Sequence, residues 1–182
     1  MSIIYVNVEN VRPPEWATTH ILTPDIRLLY RSILSYGWLY PLIVRKEDMT
    51  IIDGSSRWMV ASESDDILVD GKIPITVVDC DEANAILMHI RLNRAKGSIV
   101  AKRLSRAIQR LNDLGYTDEV QIRTALMMTP DEYEVLSEPR LLKNKKLVTH
   151  EYSRAWVPIE VAPESVQKSS EMTFERPPTP DA

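Results

Sequence analysis

Ile51-Ile52-Asp53-Gly54-Ser55-Ser56-Arg57-Trp58-Met59-Val60-Ala61 is the stretch on which the reading of this chain turns. A β-branched apolar pair runs into Asp53-Gly54, two small hydroxyl residues follow, and Arg57 opens an apolar run of helical character. The pattern predicts a strand, a tight turn and a helix N-terminus. Gly54 tolerates the positive φ that such a turn requires. A helix start offers unpaired N–H groups and the positive end of a helix dipole, and Arg57 adds a planar guanidinium within one turn. Together these donors suit a phosphate. The plainer reading is a strand-to-helix turn capped by Ser55 or Ser56. Asp53 reads either as an acid that caps the turn or as a general base.

Upstream, Leu42 to Arg45 and Met49 to Ile52 form two short strands around Lys46-Glu47-Asp48, a hairpin. Before them, Thr23-Pro24-Asp25 opens a helix carrying Ile26, Leu29, Ile33 and Leu34, and Gly37 stops it. Residues 3–11 alternate apolar and polar and predict an edge-type strand ending at Pro13-Pro14. Downstream, 73–79 predicts a strand that Pro74 places at an edge or a strand start. A helix over 82–94 follows, and then a strongly amphipathic helix over about 99–114 closed by Gly115. Residues 117–127 predict a short helix, and Thr129-Pro130-Asp131-Glu132 a capping box opening another to about Leu136.

These elements predict an α+β fold: a small mixed sheet with packed helices over residues 1–98, and an all-α segment over 99–148. Residues 149–182 read as an extended or disordered tail, since Pro158, Pro163, Pro177, Pro178 and Pro180 fall in a polar stretch without periodicity.

Three pieces then line up. Ser35-Tyr36-Gly37-Trp38-Leu39-Tyr40-Pro41-Leu42-Ile43-Val44-Arg45 gives a helix end, a glycine and Pro-Leu-x-Val-Arg; the opening stretch contains Gly-x-x-Arg; Leu92-Asn93-Arg94-Ala95-Lys96-Gly97 follows the next helix. In this order and spacing they resemble the nucleotide-binding domain shared by ParB partition proteins and sulfiredoxin, over roughly residues 5–111. The resemblance implies a ribonucleoside triphosphate, CTP or ATP with Mg²⁺, as ligand. It places Gly37, Tyr40 and Pro41 beside the nucleobase, and Gly54, Ser55, Ser56 and Arg57 around the phosphates. Asn93, Arg94 and Lys96 then reach the phosphates or position the metal through water, or simply complement a helix dipole. The activity implied is a nucleotide-dependent switch or slow NTPase.

Departures from the family pattern narrow this. Sulfiredoxin has its catalytic cysteine where Ser55 stands and Cys80 lies on another strand, which excludes peroxiredoxin repair. ParB proteins have glutamine where Tyr40 stands, so cytidine selectivity does not carry over. A small-molecule, serine-type kinase of the same fold is an alternative, with Asp53 and Glu15 as candidate bases. Another is a DNA-binding adaptor with a decayed nucleotide pocket. Compact stand-alone members of this kind suggest a phage setting.

The 117–142 region resembles the helix-turn-helix of ParB proteins, and the resemblance implies DNA as a partner and leaves a homodimer open. Acids at the start of its second helix would repel DNA phosphates. Lys102, Arg103, Arg106, Arg110 and Lys143 to Lys146 read as a solvated basic face or as a local DNA contact.

Composition sets the outer bounds. The 182 residues are 44% hydrophobic and 26% charged with a net charge of -4, so the chain as a whole is not built to wrap nucleic acid. One cysteine forms no internal disulfide, and no apolar run approaches a membrane span or a secretory leader, which predicts a cytoplasmic protein. His20, His89 and His150 are too scattered for a recognisable metal site.

Overall fold

Four strands, β1 (Ile3–Asn7), β2 (Leu42–Arg45), β3 (Ile51–Asp53) and β4 (Lys72–Val78), form one sheet in the order β1-β4-β2-β3. Six helices accompany it: α1 (Thr23–Tyr36), α2 (Ser55–Glu63), α3 (Glu82–Lys96), α4 (Ala101–Asp113), α5 (Glu119–Leu126) and α6 (Pro130–Ser137). The chain is seen in a computed structural model that describes residues 2–19, 21, 23–97 and 99–138. The tail expected over 149–182, the lysines at 143–146, His20 and His150 lie outside the described residues. The class is α+β with a mixed sheet, as the sequence pattern predicts.

β1 pairs with β4 antiparallel, β4 with β2 parallel, and β2 with β3 antiparallel. β4 is therefore an interior strand, although it carries Pro74. The proline is accommodated because it pairs with Tyr5 on the β1 side, while the parallel ladder to β2 begins only at Ile75, opposite Leu42. β1 is shorter than the expected 3–11 strand. Its ladder stops at Asn7, and Val8–Asn10 coils into a single 3₁₀ turn. The chain then returns as a strap over residues 11–19, with Arg12 bridging to Thr50 beside the outer edge of β3.

The shortest strand ties both layers together. Successive residues of a strand point to opposite faces, and Ile51 enters a core with Val44, Ile75, Tyr30 and Val60, on the side of α1 and α2. Ile52 enters the other core, with Ile86 and Ile90 of α3, Leu104 and Ile108 of α4, Ile122 of α5 and Leu136 of α6. All but Tyr30 of these side chains are completely shielded from solvent. Among the described residues no helix is long and apolar enough to cross a membrane.

α5 and α6 are joined by Met127, Met128 and Thr129, with Met127 at φ +52°. Thr129 caps α6 by accepting the Glu132 N–H at 3.2 Å. The reciprocal half of the expected capping box is absent. The Glu132 carboxylate instead receives the Arg94 guanidinium at 2.6 Å and 3.4 Å, and this mostly buried pair pins α6 to α3. A charge-assisted pair in a low-dielectric contact outcompetes a neutral backbone N–H for the same carboxylate. Removing one partner of such a pair strands the other. Glu132→Ala should therefore lower unfolding stability in urea by about 3 kcal/mol, and Arg94→Met/Glu132→Leu should regain most of it.

Candidate functional site

At the end of β3 the chain turns through Gly54, at φ +103°, straight into α2. The turn leaves no room for a side chain. A Cβ on Gly54 would stand 3.0 Å from Arg57 Nη2 and 3.0 Å from Leu42 Cγ, in a backbone conformation L-residues rarely adopt. Asp81, Asp118 and Thr129 cap α3, α5 and α6 with side-chain oxygens, whereas α2 has no side-chain cap. Its first-turn N–H groups at Ser55 and Ser56 have no partner within the helix. The seryl capping anticipated from sequence is not made.

Two cations meet one carboxylate at this turn. Arg57 Nη2 donates to Asp53 Oδ2 at 3.1 Å, and Lys96 Nζ donates to Asp53 Oδ1 at 2.6 Å. Arg57 Nη1 also donates to the carbonyls of Tyr40 and Pro41, at 2.6 Å and 3.1 Å. Arg57 thus clamps the loop before β2 to the start of α2. Burial pulls its pKa below the ordinary arginine value, and the Asp53 charge opposes that shift. Lys96 is the looser partner: its side chain is 51% exposed, against 17% for Arg57 and 13% for Asp53.

The back wall is built around His89, which is buried. Its Nδ1 lies 2.7 Å from the Ile52 carbonyl, an acceptor only, so Nδ1 carries the proton and donates. Nε2 then accepts the Thr18 N–H at 2.9 Å, with the Thr18 hydroxyl at the same distance. The ring meets Trp16 edge-on at 5.2 Å between centroids. This imidazole joins α3, β3 and the strap in one contact. Asn93, one turn on, donates its Nδ2 to the His89 carbonyl at 2.8 Å.

A cleft of about 310 Å³ opens at this junction. It gathers Asp53, Gly54, Ser55, Ser56, Arg57, Asn93 and Lys96 of the sequence-predicted residues. Gly37, Tyr40, Pro41 and Arg94 do not line it. Tyr40 and Pro41 contribute through their carbonyls to Arg57, Gly37 ends α1 at φ +72°, and Arg94 points to Glu132. Helix period explains Arg94: two residues from Lys96, it falls on the opposite side of α3, while Asn93 is three away and shares the Lys96 face. The same spacing exposes a residue that sequence reasoning missed, His89: with Asn93 and Lys96 it recurs at i, i+4, i+7, and the three form one polar stripe on α3 lining the cleft. Thr19, Ile21 and Asp25 complete the lining. Trp58 turns away, donating its indole N–H to the Val8 carbonyl at 3.2 Å.

No protein-family model matches the chain. The uncharacterized protein YbdM of Escherichia coli (strain K12) is 28% identical over 159 residues, spanning 85% of this chain and 75% of its own. Among solved structures, the chain is similar to C-terminally truncated chromosome-partitioning protein ParB from Caulobacter crescentus complexed with CTP-gamma-S, at 17% identity and a TM-score of 0.44, with 79% of this chain and 83% of that one covered. The same Caulobacter protein complexed to the centromeric parS site gives 16% identity and a TM-score of 0.45, with 74% and 68% covered. A Pnob8-like ParB-N domain gives 17% identity and a TM-score of 0.47, with 79% and 64% covered. Likeness this distant assigns no role to any residue, and the chemistry of the cleft is read from its own side chains.

The wiring of His89 makes a pH signature. Desolvation pushes its pKa below the ordinary histidine value near 6.5, more strongly than the Ile52 hydrogen bond raises it. Above that ordinary value folded and unfolded chains both hold neutral imidazole. As pH falls below it, only the unfolded chain takes up the proton, so stability declines until the lower folded-state pKa is reached, by up to about 1.4 kcal/mol per pH unit. Urea unfolding between pH 7 and pH 5 should show this fall, and His89→Gln should flatten it.

Proposed function

We propose that this cleft binds the phosphates of a ribonucleoside triphosphate, CTP or ATP, with Mg²⁺, and that occupancy acts as a switch coupled to slow hydrolysis. The observation that carries the reading is the uncapped start of α2, which opens into a cleft that also holds Lys96 and Arg57. Backbone N–H groups at a helix N-terminus, the helix dipole and two cations all favour a polyanion. The motif resemblance narrows that anion to a nucleoside triphosphate.

In this reading Asp53 is a place-holder. Its carboxylate occupies the cations that a phosphate needs, and an incoming phosphate displaces it from Lys96 first, because Lys96 is the more exposed partner and has no other hydrogen bond among the described residues. Arg57 stays on the Tyr40 and Pro41 carbonyls and carries the change to the loop before β2. Asp53, released from Lys96, would be free to hold the ion or to accept a proton from water.

The described residues contain no group of three or more His, Cys, Asp or Glu suited to a metal ion. Mg²⁺ fits here in the way it commonly binds, through substrate phosphates and one or two carboxylates. Asp53 and Asp25 line the cleft and would supply them. When bound, the ion would neutralise charge between phosphate oxygens. DNA association belongs to the same proposal; on α4, Arg103 donates to the Thr19 carbonyl and Arg110 uses Nε and Nη2 on Glu82.

Calorimetric titration of the four ribonucleoside triphosphates with Mg²⁺ tests this. Wild type should bind at least one with a Kd below about 1 mM. Lys96→Gln should weaken that binding tenfold or more, as expected for loss of a charged hydrogen bond, and, with the nucleotide titrated in the absence of Mg²⁺, Asp53→Asn should strengthen it several-fold by removing the competing carboxylate. A Kd unchanged in both variants overturns the reading.

A further inference from the structure

A second and larger cleft, about 540 Å³, lies at the other end of the β2–β3 pair, beyond Arg45 and Thr50. Its volume is in the range of small-molecule sites. Four arginines line it, Arg12, Arg45, Arg106 and Arg110, against three acids, Glu15, Asp48 and Glu82. That leaves one positive charge in excess, on a chain whose net charge is -4.

How those charges are paired matters more than their sum. Asp48 takes Arg45 Nε at 2.8 Å, a guanidinium N–H of Arg12 and the Thr50 hydroxyl at 2.6 Å. Those bonds, the Arg45 one foremost, hold its carboxyl well below the usual carboxylate range. Glu82 takes Arg110 through a two-pronged contact, Nε at 2.8 Å and Nη2 at 2.9 Å. Both acids are occupied by these contacts, which orient the Arg12 and Arg110 guanidinium groups on the lining.

Donors remain free. Arg12 uses Nε on Thr50 and Nη2 on Asp48, and Arg110 uses Nε and Nη2 on Glu82, so Nη1 of each makes no hydrogen bond among the described residues. Arg106 lies one helical turn before Arg110 on α4, so the two share a face, and it has no hydrogen bond or ion pair among the described residues. Two guanidinium groups held by buttressing carboxylates, with a third unpartnered beside them, are arranged for a multidentate oxyanion. Pro13, Pro14 and Trp16 of the strap give the same cleft an apolar wall.

We propose that this second cleft binds a small phosphorylated molecule, its phosphate held by Arg12, Arg106 and Arg110 and its organic part laid against Pro13 and Pro14. Glu15 stands on the lining as the acid without a hydrogen bond among the described residues. It is placed to accept from a hydroxyl or ammonium that the ligand carries beside its phosphate. This site is separate from the cleft at α2 and does not require that reading to hold.

Inorganic pyrophosphate is a probe of both clefts, titrated calorimetrically into the full chain. Wild type should bind two per chain, Arg106→Gln should remove one and Lys96→Gln the other, and the exposed position of Arg106 keeps the fold intact. One pyrophosphate per chain, lost in Lys96→Gln and untouched in Arg106→Gln, overturns the second site and leaves the nucleotide reading standing. One per chain with the opposite dependence upholds the second site and sinks the first. No binding in wild type overturns the second site. Displacement of the Arg106-dependent pyrophosphate by short duplex DNA also overturns the proposal, since the phosphate recognised would then be a DNA backbone.

Discussion

Asp53 stands between Arg57 and Lys96, and most of what is distinctive about the molecule depends on that bridge. The carboxylate belongs to the last residue of β3, the guanidinium to the first turn of α2, and the ammonium to the last turn of α3. Without it, two cations would face each other across an uncapped helix start. With it, the strand, both helices and, through the Tyr40 and Pro41 carbonyls, the loop before β2 are fixed around one cleft. Under the proposed function the bridge is also what a ligand anion would break, and the site would change its internal contacts on filling, as a switch requires.

Gly54 is the backbone counterpart of that bridge. Its positive φ lets β3 run directly into α2, and the missing Cβ lets Arg57 and Leu42 approach to the limit of contact. β3 is three residues long, yet Ile51 and Ile52 anchor opposite cores, so the turn that follows them is held from both sides. His89 adds the strap to this frame. A buried neutral imidazole, with an acceptor on one nitrogen and an N–H donor on the other, tolerates no proton without losing one of the two contacts. The cleft is therefore held by contacts from α2, β3 and α3, of which the Lys96 ion pair is the most exposed.

The strand, turn and helix at 51–63 were legible from residues alone, because alternation, a turn glycine and helical periodicity are local signals. So were α1, bounded by Thr23-Pro24 and Gly37, and α4, with its apolar stripe. What Arg57 does was not legible. Its partners Tyr40 and Pro41 are 17 and 16 residues away, and sequence spacing carries no record of a guanidinium spent on carbonyls across a loop. Pro74 misled for a similar reason: a proline disqualifies one side of a strand, and only the register shows that β2 starts pairing one residue later. Arg94 and His89 were legible in principle. The 3.6-residue period puts His89, Asn93 and Lys96 on one face of α3 and turns Arg94 off it, toward a glutamate whose position on α6 no local pattern predicts.

In the proposed function the first turn of α2 receives a phosphate. Following the backbone amide resonances of Ser55 and Ser56 by ¹⁵N–¹H NMR during titration with the magnesium complexes of CTP and ATP addresses it directly. Both amides should shift saturably with one nucleotide per chain, accompanied by a shift at Tyr40 or Leu42 as the Arg57 clamp responds. Saturable binding that leaves Ser55 and Ser56 unmoved would contradict it.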